Sequence, residues 1–191
     1  MNREDYLRVT DIIKPFSGVE FVPEDILNVA AKKGTRVHKY IENILKGEDS
    51  YIFHEEDSLY VDSFKVFWEK SSHAFKGGNM ILEQRLFCDE LQITGQADVI
   101  IEMQDRTYII DWKTSKSTHK SWALQGCAYK YLAEKSGFKN VDSVLFVKLK
   151  SDGKPPSLHK HEKHEENLEI FVKCLELYKW FDMKNTRKFW E

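Results

Sequence analysis

Two carboxylates and an ammonium group stand at strand spacing in two neighbouring apolar runs, Gly95-Gln96-Ala97-Asp98-Val99-Ile100-Ile101 and Tyr108-Ile109-Ile110-Asp111-Trp112-Lys113-Thr114. Both runs are rich in β-branched and aromatic residues, and the polar Met103-Gln104-Asp105-Arg106 separates them, which predicts two antiparallel strands and a short turn. A turn centred between Gln104 and Asp105 sets Asp98 opposite Asp111, with Cβ atoms roughly 5 Å apart. Such a like-charge pair destabilises a sheet unless something positive lies between the acids. A divalent cation answers that need. Because side chains alternate along a strand, Asp111 and Lys113 share a face while Ile110 and Trp112 point into the opposite layer. Carboxylate oxygens suit a hard cation such as Mg²⁺ or Mn²⁺, which lowers the pKa of a bound water and neutralises a phosphate. Lys113 then orients the nucleophile or stabilises developing charge.

The flanking chain must hold these groups. Asp11 to Phe21 reads as an irregular entry, and Pro23 suits the first turn of a helix running to about Lys32. Gly34 interrupts it, and Thr35 caps a second helix whose Val37, Ile41, Ile44 and Leu45 make an apolar stripe ended by Gly47. His38, at the edge of that stripe, is either a structural histidine or a ligand. Glu56 to Ser71 is a third amphipathic helix with Tyr60, Phe64, Phe67 and Trp68 in the core. Met80 to Phe87 alternates as a strand, with Ile81, Glu83, Arg85 and Phe87 on one face and Met80, Leu82, Gln84 and Leu86 on the other. Glu83 is then a carboxylate with apolar neighbours, or an exposed edge-strand glutamate. Cys88 to Leu91 turns into the Asp98 strand and completes a three-stranded meander.

Ser117 to Lys135 reads as a helix burying Leu124, Cys127, Ala128, Tyr131 and Leu132, with Gln125 and Tyr129 one turn apart on a shared face. Gly126 costs about 1 kcal/mol there relative to Ala, which points to close packing against a neighbour. Val141 to Leu149 is a fourth strand reached by a helical crossover, hence parallel to an earlier one. Ser151 to Pro156 is a loop, and His159, His161 and His164 read as solvated. A C-terminal amphipathic helix carries Leu168, Phe171, Val172, Leu175, Tyr178 and Trp180 to about Met183, with Lys184 to Glu191 frayed.

The 191 residues, 41% of them hydrophobic, suffice for one well-buried domain. Its expected parts are a helical segment over about 1–78, a core over about 79–150 and a C-terminal helix over about 164–183. Three dispersed cysteines, Cys88, Cys127 and Cys174, suggest neither a disulfide framework nor a metal cluster. No run reaches the roughly 18 apolar residues of a membrane span, and the start Met1-Asn2-Arg3-Glu4-Asp5 is too acidic for a signal or transit peptide. A cytoplasmic location with no membrane partner is the expectation. With a net charge of −2, any nucleic-acid contact must come from a local basic face. Trp112 to Ala133 offers one, for it holds no Asp or Glu but contains Lys113, Lys116, Lys120 and Lys130.

Helix, three-stranded meander, helix, strand, with an acid on the second strand and Asp-x-Lys on the third, resembles the PD-(D/E)XK nuclease superfamily, in particular its RecB-like and phage-type exonucleases. Gly34-Thr35-Arg36-Val37-His38 is similar to that branch's N-terminal helix motif with its metal-facing histidine, and Glu83 to an acid of its first strand. Gly95-Gln96-Ala97-Asp98 is similar to its G-x-x-D, Asp111-Trp112-Lys113-Thr114-Ser115 to its D-x-K-T, and Gln125 with Tyr129 to its Q-x-x-x-Y. The resemblance implies an α/β, restriction-endonuclease-like core, a central mixed β-sheet with an antiparallel meander, a helical crossover and flanking helices. It implies a deoxyribonuclease using Mg²⁺ or Mn²⁺, expected as an exonuclease in DNA repair, recombination or replication, acting on single-stranded DNA or free ends and serving in a larger assembly. The implied metal ligands are His38, Glu83, Asp98, Asp111 and the Trp112 backbone carbonyl. Lys113 acts in catalysis, Gln125 and Tyr129 contact DNA or position the attack, and Lys116 and Lys120 extend the DNA face. Relatives with an iron–sulfur cluster use four cysteines, which this chain lacks, so no cluster is expected. Other readings are a structure-specific endonuclease, a nuclease-like DNA-binding module without catalysis, and structural ion pairs in a protein-interaction domain.

Overall fold

The computed structural model describes residues 3–18, 21–48 and 54–181. Its centre is a six-stranded mixed sheet of β1 (Leu7–Arg8), β2 (Asn79–Cys88), β3 (Ile93–Glu102), β4 (Thr107–Lys113), β5 (Val141–Lys148) and β6 (Ser157–Lys160). β2, β3 and β4 form the expected antiparallel meander, with Val99 opposite Ile110 and Glu102 opposite Thr107. The turn between β3 and β4 is closed by a hydrogen bond from the Met103 N–H to the Arg106 carbonyl. The crossover helix α4 (Ser121–Lys135) returns the chain to β5, parallel to β4, and β6 closes that side antiparallel to β5. The short β1 runs parallel to the start of β3.

Helices cover both faces. α2 (Glu24–Lys46) and α3 (Glu55–Ser71) pack Val37, Ile41, Tyr60, Phe64 and Phe67 onto Val99, Ile101, Ile110, Trp112 and Val147. On the other face α1 (Val9–Ile13), α4 and α5 (His164–Trp180) bury Val9, Trp122, Leu132, Phe171 and Leu175 against Ala97, Ile100, Ile109 and Phe146. Ile110 and Trp112 therefore face one layer and Ile109 the other, as period-two alternation requires. Among the described residues no helix is long and apolar enough to cross a membrane.

Several expectations are corrected. The segment from Asp11 is not irregular throughout, because Val9, Ile12 and Ile13 form the buried face of α1. Gly34 does not break the helix: α2 runs through it, and the Thr35 hydroxyl donates back to the Ala31 carbonyl instead of capping. A Cβ at position 34 would stand 3.4 Å from Thr114 Oγ1, so the small residue admits the end of β4. α4 starts at Ser121, later than expected, and buries Gln125 and Tyr129 along with its apolar stripe. Gly126 does mark close packing, since a Cβ there would meet the Phe146 ring at 3.1 Å. The three histidines are partly buried: His159 bonds Ser157, His164 bonds Ser143, and His161 packs edge-on against Phe146. Cys88, Cys127 and Cys174 are free and buried. α5 ends at Trp180, which is exposed, and the expected extension to Met183 with a frayed end lies outside the described residues.

The alternation of β2 also departs from expectation. Met80 and Leu82 pack on the α2/α3 side, whereas Leu86 and Cys88 pack on the opposite side. Glu83 causes the reversal: its φ of 52° is left-handed backbone, which turns the strand over while the pairing of Leu82 with Val99 and Gln84 with Ala97 keeps its register. β3 reverses at the facing position, with Ala97 on one side of the sheet and Val99 on the other.

Candidate active site

The acids sit where the central ladder ends. Pairing of β3 with β4 stops at Val99 and Ile110, and one step further, between the two strands, Asp98 Oδ2 accepts the backbone N–H of Trp112 at 2.7 Å. Asp98 and Asp111 are 8% and 3% exposed. Their surroundings differ. Asp98 reaches α2, where Oδ1 lies 3.1 Å from His38 Nδ1. Asp111 reaches α4, where Gln125 Nε2 donates to Oδ1 at 3.0 Å, and Lys113 Nζ stands 2.6 Å from Oδ2. Lys113 also donates to Gln125 Oε1 at 2.9 Å. Gln125 thus fixes acid and lysine together, one amide group serving both.

Tyr129 lies one turn further along α4, with its hydroxyl beside Gln125 and the Gln96 backbone. Its ring rests on Gly95, where a Cβ would come within 2.7 Å of Tyr129 Cε1. The glycine of G-x-x-D is therefore the seat of the tyrosine of Q-x-x-x-Y. Glu83 accepts from Gln96 Nε2 at 2.6 Å, and Gln96 in turn accepts from Arg85 at 3.2 Å. Lys116 and Lys120 are exposed on the segment leading from β4 into α4.

The electrostatics follow from burial and pairing. Burial penalises the Asp98 carboxylate, but the charge and hydrogen bond of His38 and the Trp112 N–H outweigh it and hold its pKa below the usual value. Burial likewise disfavours the His38 imidazolium, yet Asp98 and then Asp111 more than offset this and raise its pKa to about 9. Asp111 goes the other way. Burial, only partly countered by Lys113 and reinforced by Asp98, pushes it up to about 6. Glu83 is raised, by burial first and Asp98 second.

Among the described residues no three His, Cys, Asp or Glu side chains gather into a ready-made cation cage. Each acid is turned to its own partner, and His38 and Lys113 supply the positive charge that the facing carboxylates demand. The donors still fit a hard cation, because Asp111 Oδ2 is buried with no aligned hydrogen bond despite its ionic contact with Lys113. Reasoning from sequence missed Arg36, which donates to Asp57 at 2.6 and 3.1 Å and ties α2 to α3. It also missed Trp122 and Phe146, whose rings flank Lys113. The spacing of Lys113, Trp122 and Gln125 carried no period that links them.

His38 makes apo stability depend on pH. Its folded pKa of about 9 exceeds the ordinary 6.5, so its stabilising contribution is full below pH 6.5 and is lost as pH rises through 9. Chemical denaturation in chelator is expected to show parent stability falling by on the order of 2 kcal/mol from pH 6.5 to 9.5 relative to His38→Gln. Parallel curves for the two proteins would show that the imidazole is not charged by Asp98.

A mixed sheet with an antiparallel meander, a parallel crossover and an acid–acid–lysine group at its parted strands is the restriction-endonuclease-like architecture of nucleases. A family model for the PD-(D/E)XK nuclease superfamily matches residues 20–187, and the chain belongs to that superfamily. Its members generally use divalent metal ions. Among solved structures, a candidate exonuclease from Eubacterium rectale is similar, with a TM-score of 0.58, 10% identity, and coverage of 92% of this chain and 79% of the other. LHK-Exo, in complex with dAMP, aligns over 98% of this chain and 96% of its own at 10% identity, with a TM-score of 0.40. None of the curated proteins matches the sequence.

Proposed function

We propose that the chain is a Mg²⁺- or Mn²⁺-dependent deoxyribonuclease that hydrolyses DNA phosphodiester bonds from free ends. The observation that supports it most is the pair of buried, separately partnered carboxylates, Asp98 and Asp111, with Lys113 and an under-bonded Asp111 oxygen between them. Asp98 and Asp111 would hold the metal, with His38, Glu83 and the Trp112 carbonyl completing its shell; His38 must lose its proton to join. When bound, the cation supplies a water of lowered pKa and neutralises phosphate charge. Lys113 holds its ammonium beside the acids, where it meets the scissile phosphate and the attacking oxygen. Gln125 keeps Lys113 and Asp111 in register, and Tyr129 supports Gln125 from the next turn. Free ends arise in DNA repair, recombination and replication, where such an enzyme works alone or in a larger assembly.

Incubation of end-labelled linear and covalently closed circular DNA with Mg²⁺, Mn²⁺ or chelator tests this. Digestion of linear DNA alone, abolished by chelator, is expected. Nicking of closed circles makes the enzyme an endonuclease, and folded protein that cuts neither form with any metal is not a nuclease.

Lys116 and Lys120 form the DNA-contacting entrance to this site. Lys116→Ala and Lys120→Ala are each expected to weaken binding to all sequences alike and to flatten the slope of log affinity against log salt by about one, because a phosphate contact releases counterions and reads no base. An unaltered slope puts the DNA on another face.

A further inference from the structure

Lys113 has neighbours that hydrogen bonding does not account for. Its Nζ lies 5.2 Å from the centroid of the Phe146 ring and 5.9 Å from that of Trp122. The two rings stack on each other, with centroids 5.6 Å apart and planes inclined by 23°. Both are buried. Phe146 is paired in register with Asp111 across the parallel β4–β5 ladder, so its ring stands beside the acid that Lys113 contacts. His159, paired with Phe146 from β6, meets the Trp122 ring edge-on at 5.6 Å, and His161 meets Phe146 edge-on at 5.9 Å. The histidines hold the two rings from outside, and the rings enclose the ammonium from one side.

We propose that Trp122 and Phe146 are positioning residues that fix the Lys113 ammonium through their ring faces, so that it is held against Asp111. The inference rests on the reading of Lys113 as catalytic. A lysine stem is flexible and its ammonium a point charge with rotatable donors, so the rings add a third constraint to the two that Gln125 and Asp111 supply. Ring quadrupoles attract the cation and are effective in a desolvated setting such as this. They also place no competing acceptor against it, which leaves an N–H free for phosphate oxygen. Apolar packing explains why the rings are buried but not why both lie within 6 Å of the Lys113 ammonium, on a side chain only 18% exposed.

The test combines single-turnover cleavage with spectroscopy. Trp122→Leu and Phe146→Leu are each expected to slow the cleavage step about tenfold with DNA affinity unchanged, and Trp122→Phe to recover most of the loss, since a ring face is restored. In a Lys113→Ala background, Trp122→Leu adds nothing further. In the metal-free parent, the Lys113 ε-methylene protons are expected to be shifted upfield by ring currents, a shift that Trp122→Leu diminishes. Ordinary ε-methylene shifts in the parent overturn the proposal without recourse to any variant. Folded Trp122→Leu and Phe146→Leu that both cut at the parent rate, while Lys113→Ala does not cut, also overturn it and leave the nuclease reading standing. A Lys113→Ala protein that cuts like the parent overturns the reading of Lys113, and the positioning role falls with it.

Discussion

Asp111→Asn and Lys113→Ala are each expected to reduce metal-dependent cleavage by at least about 10³-fold, since each removes a full charge from the place where phosphate and cation meet. The two substitutions should separate in stability. Burial makes Asp111 costly to ionise in the folded protein, where its pKa of about 6 exceeds the ordinary 3.8. The cost is present in full above about pH 6 and fades as pH falls toward 4. Asp111→Asn deletes that cost, so the variant should melt no lower than the metal-free parent near pH 8 while being inactive. Lys113→Ala leaves the same carboxylate without its cation and should melt lower. Melting curves beside single-turnover cleavage check both halves, and an Asp111→Asn protein that cuts like its parent would sink the assignment of the site.

The largest effect on stability is expected away from the chemistry, at Arg36. Its guanidinium grips Asp57 with two donors, at 2.6 and 3.1 Å, and Asp57 is 0% exposed. Removing the guanidinium takes two donors from the buried Asp57 carboxylate, but Arg36 is itself 29% exposed, so water replaces part of what is lost. Arg36→Ala should therefore lower the melting temperature by roughly 5 °C for a chain of this size. Arg36→Met combined with Asp57→Leu should lose much less, because no charge remains buried. A single variant that melts with the parent would mean that water reaches Asp57 in solution. Arg36 lies between Gly34 and His38 on α2, so its grip on α3 sets the stretch of helix that carries His38 to Asp98.

Much of this arrangement is legible in the sequence, and for local reasons. The hairpin register follows from a short polar turn between two β-branched runs, and the pairing of Val99 with Ile110 obeys it. The crossover and the parallel fourth strand follow from chain length and handedness. What the sequence hides is long-range. Pairing of Arg36 with Asp57 and contact of Trp122 with Lys113 depend on how helices lie on the sheet, which no period encodes. Gly34 reads as a break because propensity counts against it, whereas packing of α2 on the sheet carries the helix through. The facing acids invite one shared cation. His38 and Lys113 arrive from separate places in the chain to divide that task.

The left-handed turn at Glu83 has a consequence for how copies of the chain behave toward one another. Among the described residues β2 pairs only with β3, so the backbone groups of alternate residues face outward along its edge, apart from those of Phe87, which bond Ser136. A long, flat edge of this kind templates intermolecular sheets. The turn at Glu83 divides it into two short stretches facing opposite ways, and Gln84 and Arg85 follow at the join. A docking strand would find neither a continuous ladder nor a single apolar face. The left-handed residue that sets a carboxylate beside Asp98 thus also breaks the open edge of the sheet.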